Sequence, residues 1–325
     1  MVNLSPCFTR LASIALLGML TFSPVGADAG MTPEEVKKFN DYKAKAEKGD
    51  SDAQRIVGSF YNAGRGVEID LVKALEWLSK AAASNDSKAQ FELGAYYMMS
   101  YRGDERFVKA SDWFRKAAEQ GHITAQFNLG TLYSAEFLGI PKDQAQAVLW
   151  WRKAALQGHP EAQFRLGLCY DAGDGVPKDK EQAFAWMLKA AEQDNRSFET
   201  RYFEPAAAQF FTAISYANGD GVTKDPVKAG FWYRKAAHEG DAPSQFNLAH
   251  LYADGHGVAK DEIEAYAYYN LAGITLEDAR KNLTNLEGRL SREEVAAGQK
   301  RTKELQKEIE AKMAAKKAAQ EKAGK

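Results

Sequence analysis

The sequence predicts an all-α protein, a solenoid of helix pairs, and two patterns indicate this. A nine-residue phrase recurs six times with small changes, beginning at Ala53, Ala89, Ala125, Ala162, Ala208 and Ser244. Successive copies begin 36, 36, 37, 46 and 36 residues apart, a period typical of repeat arrays. Positions 1, 5, 8 and 9 of the phrase are mostly apolar and have helical rather than alternating spacing. Each repeat is therefore expected to bury its apolar face against its neighbours.

Residues 1–27 are predicted to be a signal peptide. Arg10 provides a positive charge, and an apolar run follows at 11–22. Small residues favour cleavage after Ala27, with cleavage after Ala29 as the alternative. Because the run is shorter than the roughly 20 residues of a membrane-spanning helix, we expect a mature chain without a transmembrane segment, exported to the periplasm or secreted.

Residues 31–52 are predicted to form an N-terminal capping helix. Thr32 suits the N-cap and Pro33 suits the first helical position. The segment ends in the same way as a repeat does, so we expect it to cover the apolar face of the first repeat.

Each repeat is expected to form helix A, which carries the phrase, then a turn, then helix B. In four repeats the turn is Gly-x-Gly-Val, and an aspartate follows at the N-cap of helix B. These aspartates are Asp70, Asp179, Asp225 and Asp261. Repeats two and three depart from this turn, and Arg106 occupies the cap position in repeat two. Repeats one to six span 53–88, 89–124, 125–161, 162–207 with an insertion, 208–243 and 244–279.

A glycine stands inside helix A of the first four repeats, at Gly58, Gly94, Gly130 and Gly167. Glycine within a helix costs about 1 kcal/mol relative to alanine, so its recurrence indicates a steric need. We expect the backbone of helix B to approach closely there. Ala213 and Ala249 occupy this position in repeats five and six, so a small residue suffices.

These motifs together resemble the Sel-1-like repeat family, whose members are relatives of tetratricopeptide repeats. The matching features are the Ala-x-x-x-Leu-Gly-x-x-Tyr phrase, the Gly-x-Gly-Val turn, the capping aspartate, and Lys-Ala-x-x-Trp with a Lys-Ala-Ala close in helix B. The resemblance covers about residues 53–279. It implies a right-handed superhelix and a scaffold that binds proteins.

A candidate binding surface lies along helix A. If the A helices line the concave side, positions 3, 7 and 10 form one helical face, here called the helix-A stripe. This stripe predicts a groove for an extended or helical peptide; alternatively, the phenylalanines at position 3 pack against the neighbouring helix A. The candidate partner-binding residues in the stripe are Arg55, Phe91, Met98, Phe127, Thr131, Phe164, Asp171, Phe210, Phe246 and His250.

The insertion of repeat four, at 195–205, is rich in aromatic residues and arginine, which are enriched at interfaces. Insertions in solenoids often lie on the binding face. Phe198, Tyr202 and Phe203 are therefore further candidate contacts. The alternative is a longer helix B whose aromatic side chains fold back onto the array.

Residues 280–310 are predicted to form C-terminal capping helices. Leu283, Leu286 and Leu290 are expected to close the face of repeat six, and a capping box is expected to open a second helix at 291–294.

The last segment, 311–325, is rich in Lys, Ala and Glu and has little to bury, so we expect it to fray. Residues 280–325 contain 13 Lys and Arg against 7 Asp and Glu. A solvated tail is the preferred interpretation, and contact with anionic lipid or nucleic acid is the alternative.

No catalytic residue, cofactor or metal ligand is predicted. The sequence lacks the motifs of serine hydrolases, zinc proteases, Cys-x-x-Cys redox centres and phosphate-binding loops. Cys169, the single cysteine after the signal, is expected to pack in the core, with a reactive thiol as the alternative. His250 and Asp254 can share a helical face, but His256 lies between turn glycines, so solvated side chains are preferred to a metal site.

The preferred function is a non-catalytic protein–protein interaction scaffold of the bacterial envelope, or a secreted one. It is expected to be monomeric and to bind other envelope proteins. The net charge of −1 gives no footprint for nucleic acid. The alternative is a cell-wall-directed enzyme or enzyme regulator, since cysteine-rich members of the family are linked to β-lactams; this chain has one mature cysteine and no Ser-x-x-Lys motif.

Overall fold

The computed structural model describes most of the chain after residue 30, namely residues 31–101, 103, 105–137, 139–193, 203 and 205–323. The predicted signal peptide lies outside these residues, as do Phe198 and Tyr202 of the insertion. The described residues fall into two compact units, the first ending at Ala162 and the second beginning at Gln163.

The first unit contains a capping helix and the helix pairs of repeats one to three. Its helices are α1 (Pro33–Ala46), α2 (Ser51–Ala63), α3 (Leu71–Ala83), α4 (Ser87–Met99), α5 (Arg106–Glu119), α6 (Ile123–Tyr133), α7 (Gln144–Leu156) and the start of α8 (Pro160–Ala172). Helices α2, α4 and α6 are helix A of their repeats, and α3, α5 and α7 are helix B. From α1 to α7, each helix packs against the next in sequence.

The second unit continues the same alternation and ends in two further helices. Its helices are the rest of α8, α9 (Lys180–Glu192), α10 (Pro205–Asn218), α11 (Pro226–Ala237), α12 (Ala242–Asp254), α13 (Glu262–Gly273), α14 (Glu277–Glu287) and α15 (Arg292–Ala323). The described residues thus form fifteen helices and no strand beyond one isolated bridge between Phe137 and Ile140. The predicted all-α solenoid of helix pairs is confirmed.

Most helices begin directly after a polar residue of the preceding turn. The four predicted aspartate caps of helix B all form, each accepting a backbone N–H from the first helical turn: Asp70, Asp179, Asp225 and Asp261. Asp143 caps α7 in the same way, which the sequence analysis did not recognise. Helix α5 begins at Arg106, and Glu105 before it makes no side-chain cap, so the expected cap at Arg106 is wrong.

The helix-A glycine lies against helix B of the same repeat, as predicted. A β-carbon at Gly130 would lie 2.6 Å from Cδ1 of Trp151 and 3.0 Å from the carbonyl oxygen of Ala147. The other three glycines face a bulky side chain at the same place in helix B, namely Leu78, Phe114 and Met187. Backbone atoms of helix B lie 3.0–3.3 Å from these β-carbon positions, so the expected close approach of the backbone is found, and the nearest atoms belong to the facing side chain.

The tryptophan of helix B lies beneath the lysine of the Lys-Ala-Ala close. The lysine Nζ is 3.9–4.7 Å from the tryptophan ring centre in five repeats. Such cation–π contacts add about 0.5–1 kcal/mol at exposed sites. They place the lysine ammonium group over the tryptophan ring at the end of helix B.

Helices α14 and α15 both pack on α13 and close repeat six. Leu286 is buried, whereas Leu283 and Leu290 are half-buried. Most of the remaining cover comes from Leu305 and Ile309 of α15, which are also buried. The capping box at 291–294 forms as expected.

Residues 311–323 continue α15 without a break, so the expected fraying of this segment is not what the structure shows. Two lysines of this segment form ion pairs with the array, which explains why the helix continues. Lys312 lies 2.7 Å and Lys316 lies 3.4 Å from the carboxylate of Glu239 in repeat five. The segment therefore has an anchor on the array, although it buries almost no apolar surface.

Candidate functional site

The phenylalanines at position 3 of helix A are mostly interior residues. Less than a tenth of the surface remains exposed at Phe127, Phe164, Phe210 and Phe246, whereas Phe91 is half-buried. This burial favours the packing alternative for the four buried residues. Their contribution to partner binding stays a prediction.

In the first unit, the position-3 ring stacks on a histidine that starts the next helix A. The ring centres of Phe91 and His122 are 4.6 Å apart, and those of Phe127 and His159 are 4.4 Å apart. Nδ1 of His122 accepts from the N–H of Ala125 at 3.3 Å, which caps α6. His159 makes the corresponding bond at the start of α8. These two histidines therefore connect repeat two to repeat three and repeat three to repeat four. The sequence feature that could have predicted these contacts is the Gly-His pair before helix A.

The stripe begins in repeat one with a charged cluster. Arg55 bonds to Asp52 at 2.6 Å and forms an ion pair with Glu92 of repeat two. Ser59 also donates to Glu92, whose side chain is 19% exposed. Burial raises the pKa of Glu92, and the charge of Arg55 opposes that shift. Arg55 is thus committed to a bond between two repeats rather than left free for a ligand.

The other stripe residues differ in exposure. Thr131 is buried, and its hydroxyl donates to the carbonyl of Phe127. Met98 is half-buried. Asp171 is half-buried and pairs with Lys180 at 2.6 Å. His250 shares a hydrogen bond of 2.9 Å with the hydroxyl of Tyr269, and burial lowers its pKa.

The insertion is described only in part. Phe203 is buried, with 5% of its surface exposed. Phe198 and Tyr202 fall outside the described residues, so their predicted contact role stays a prediction. At Phe203 the structure agrees with the alternative in which an aromatic side chain folds onto the array.

A buried row of glutamines, here called the glutamine ladder, was missed by the sequence analysis. Position 2 of the phrase is glutamine in all six repeats. In repeats two, three and four its oxygen accepts from a second glutamine at the end of helix B: Gln120 to Gln90 at 2.7 Å, Gln157 to Gln126 at 2.7 Å, and Gln193 to Gln163 at 3.3 Å. The recurrence of Gln beside Ala at the start of helix A was the available signal.

The amide nitrogen of a position-2 glutamine also reaches the preceding repeat. It donates to a backbone carbonyl at the end of the previous helix, as Gln126 does to Ala118 at 3.0 Å and Gln245 to Ala237 at 3.2 Å. Buried polar groups are costly unless they are paired. The ladder therefore fixes the register of one repeat on the next.

Many of the exposed large apolar side chains in the described residues lie on helix B, and none is a stripe residue. Leu149 of α7 is 52% exposed, and Val227 and Phe231 of α11 are 66% and 53% exposed. Single exposed apolar residues are ordinary on protein surfaces. Leu149 is therefore a suitable control position for tests of the stripe.

The described residues contain no cluster of three His, Cys, Asp or Glu side chains arranged to hold a metal ion. Cys169 is buried, with 5% of its surface exposed. Among the helices described, none combines the length and apolar character needed to cross a bilayer.

Comparison with known proteins assigns the repeats. The Sel1 repeat family model matches residues 51–86, 87–122, 123–159, 160–195, 206–241 and 242–273, well over half of the chain. No curated protein matches the chain.

Two solved structures share the fold. A protective antigen of uropathogenic Escherichia coli strains, displaying an SLR fold, is 27% identical with a TM-score of 0.67; the match covers 95% of this chain and 62% of that chain. A Sel1 repeat protein from Oxalobacter formigenes is 29% identical with a TM-score of 0.58, covering 81% of this chain and 100% of that one. The chain thus spans less than two thirds of the antigen. By its repeats and its fold, the chain belongs to the Sel1 repeat family.

Proposed function

We propose that this chain is a non-catalytic scaffold that binds protein partners along the helix-A stripe. Sel1 repeats commonly mediate protein–protein interaction, and the fold is typically non-catalytic. The observation that carries the proposal is the stripe of repeats one and two. There, half-buried Phe91 and Met98 lie seven residues apart on one face of α4, beside the Arg55–Glu92 ion pair.

This surface has a composition that interfaces favour, with aromatic and methionine side chains next to polar groups. A stable complex buries about 800 Å² on each partner. Such an area requires several repeats, so the partner is expected to extend along the array. An extended or helical segment of another protein fits that shape.

We place this scaffold in the periplasm or outside the cell, as a monomer with envelope proteins as partners. The support is the basic, apolar and small-residue pattern of residues 1–27. The near-balanced charge of the chain supports a protein partner rather than nucleic acid.

The test is a cross-linked pull-down from the envelope fraction with mature residues 28–325, read by mass spectrometry. The variant is Met98→Lys, because Met98 is half-buried and reachable. Phe127 and Phe164 are unsuitable targets, since a charge at a buried position would unfold the repeat. The matched control is Leu149→Lys, an exposed position on helix B of repeat three.

A partner that is captured by the wild type and by Leu149→Lys, but lost with folded Met98→Lys, would support the stripe. A partner retained by both variants would exclude this part of the stripe as its binding site. Turnover of a cell-wall substrate by the purified chain would contradict the non-catalytic proposal.

A further inference from the structure

The second glutamine of the ladder is present in repeats two, three and four, whereas repeats one, five and six have Ser84, Glu239 and Thr275 there. The glutamine that donates to the position-2 glutamine lies 30 or 31 residues later in the chain. It is Gln120 in repeat two, Gln157 in repeat three and Gln193 in repeat four. The corresponding residue of repeat five is Glu239. A carboxylate cannot donate a hydrogen bond, and the oxygen Oε1 of Gln209, 5% exposed, has no partner in the described part of the chain. Burying an unpaired polar atom costs stability.

Glu239 makes other bonds instead. Its side chain is 13% exposed, and its two oxygens are held by Lys312 at 2.7 Å and Lys316 at 3.4 Å. Lysines four residues apart lie on the same helical face, so both reach one carboxylate. Met313 lies between them in sequence and approaches the adjacent Gly240.

We propose that residues 310–323 of α15 form a detachable arm, held closed on repeat five by the clasp of Lys312 and Lys316 on Glu239. In repeat five, a glutamate at the position of the ladder glutamine exchanges an internal hydrogen bond for a docking site. The site accepts a basic helix with lysines four residues apart.

Burial along α15 shows why only this part detaches. The segment before the arm is fixed by Leu305 and Ile309, which are buried, and by the ion pair of Arg301 with Glu264 at 2.6 Å. A β-carbon at Gly298 would lie 2.5 Å from the ring of Tyr266, so the helix backbone touches α13 there. From residue 310 to 319, every side chain is exposed except Lys316, which is half-buried. The clasp is therefore the main attachment of the arm.

Opening the clasp exposes charge on both sides. The arm then presents Lys312 and Lys316 together with the already exposed Lys317, and the array presents Glu239 at the turn between α11 and α12. A partner of opposite charge to either side competes with the clasp. The clasp therefore depends on charge attraction, which salt screens.

The test is amide hydrogen exchange of the full mature chain, compared between wild type and Glu239→Gln. Glutamine cannot hold the two lysines, but it can donate to Gln209 as Gln193 does to Gln163. We expect exchange across 311–323 to rise about fivefold. Exchange across 298–309 is expected to stay unchanged, and that of α10 is expected to stay equal or slow.

Two further variants separate the clasp from general fraying. Lys312→Gln with Lys316→Gln is expected to release the arm without slowing exchange in α10. Lys317→Gln, an exposed neighbour on the same helix, is the matched control and is expected to leave the arm as in wild type. At about 1 M salt, where the Debye length is about 3 Å, the wild-type arm is expected to exchange as in Glu239→Gln.

Unchanged exchange of 311–323 in folded Glu239→Gln would overturn the proposal. So would equal acceleration in Lys317→Gln, because the arm would then open independently of the clasp. These outcomes are independent of the Met98→Lys test. The proposal for the arm and the proposal for the stripe can therefore be disproved separately.

Discussion

At the scale of single residues, the helix-A glycine and the helix-B residue facing it form a size-matched pair. Gly130 faces Trp151, and Gly58 faces Leu78. The sequence shows the glycine as a recurring helix-weakening residue, so the steric need was predictable. The identity of the facing residue was not, because bulky residues occupy several positions of helix B.

Gly130→Ala tests this pair. Alanine would gain about 1 kcal/mol of helix propensity, but its β-carbon would lie 2.6 Å from Trp151. Overpacking of this kind costs about 1–3 kcal/mol, so we expect a lower free energy of unfolding in urea. The exposed position Ala297, inside α15, provides the reference, since Ala297→Gly should show the propensity term alone. A more stable Gly130→Ala would contradict the pairing.

The half-buried histidines predict a pH dependence. Burial lowers the pKa of His238 below its ordinary 6.5, and the nearby Lys312 adds to the shift; burial also lowers the pKa of His250. The unfolded chain therefore binds more protons near and below pH 6.5. It follows that their contribution to stability is complete above pH 6.5 and is lost as pH falls through the lowered folded pKa values.

The measurement is the free energy of unfolding from neutral pH to about pH 5, for the wild type and for His250→Gln. We expect the difference between the two to shrink as the solution becomes more acidic. A difference that is constant across this range would show that His250 does not titrate with folding.

At the scale of elements, helix starts were the most predictable feature. The capping aspartates are local in sequence, so a turn motif is enough to place them. Asp143 escaped recognition because the turn before it is one residue longer and lacks the second glycine. The glutamine ladder escaped because its partners are thirty or so residues apart, and nothing in a single helix indicates that glutamine is buried there.

Asp143→Ala is expected to lower the free energy of unfolding by about 1 kcal/mol, because the N–H of Gln146 loses its acceptor. Asparagine caps nearly as well as aspartate, so Asp143→Asn should remain close to wild type. Thermal unfolding followed by circular dichroism would measure both. Equal losses in the two variants would point to the charge rather than the cap.

At the scale of the whole molecule, the array of repeats was predictable from the period, since each repeat requires a neighbour. The docking of the C-terminal tail was not predictable from the sequence, because it depends on the charge of Glu239 in a distant repeat. The helix-A stripe was only partly predictable. A phenylalanine at a fixed helical position has the same sequence signature whether it packs in the core or faces a groove.

Two truncations test how the second unit is closed. A chain ending at residue 309 retains Leu286 and Leu305 and is expected to unfold at nearly the wild-type temperature. A chain ending at residue 276 exposes the face of α13 and is expected to melt earlier and to bind the apolar dye ANS. Equal melting temperatures for both chains would show that α14 and α15 do not act as a cap.

The clasp also sets an order of folding. Most contacts in a repeat array join residues within one or two neighbouring helices, so folding can begin at many places and spread. Lys316 and Glu239 are instead 77 residues apart, and closing so long a loop is slow until the intervening helices are in place. The arm can therefore dock only after repeats five and six have formed, and its closure marks the last step in completing this end of the chain.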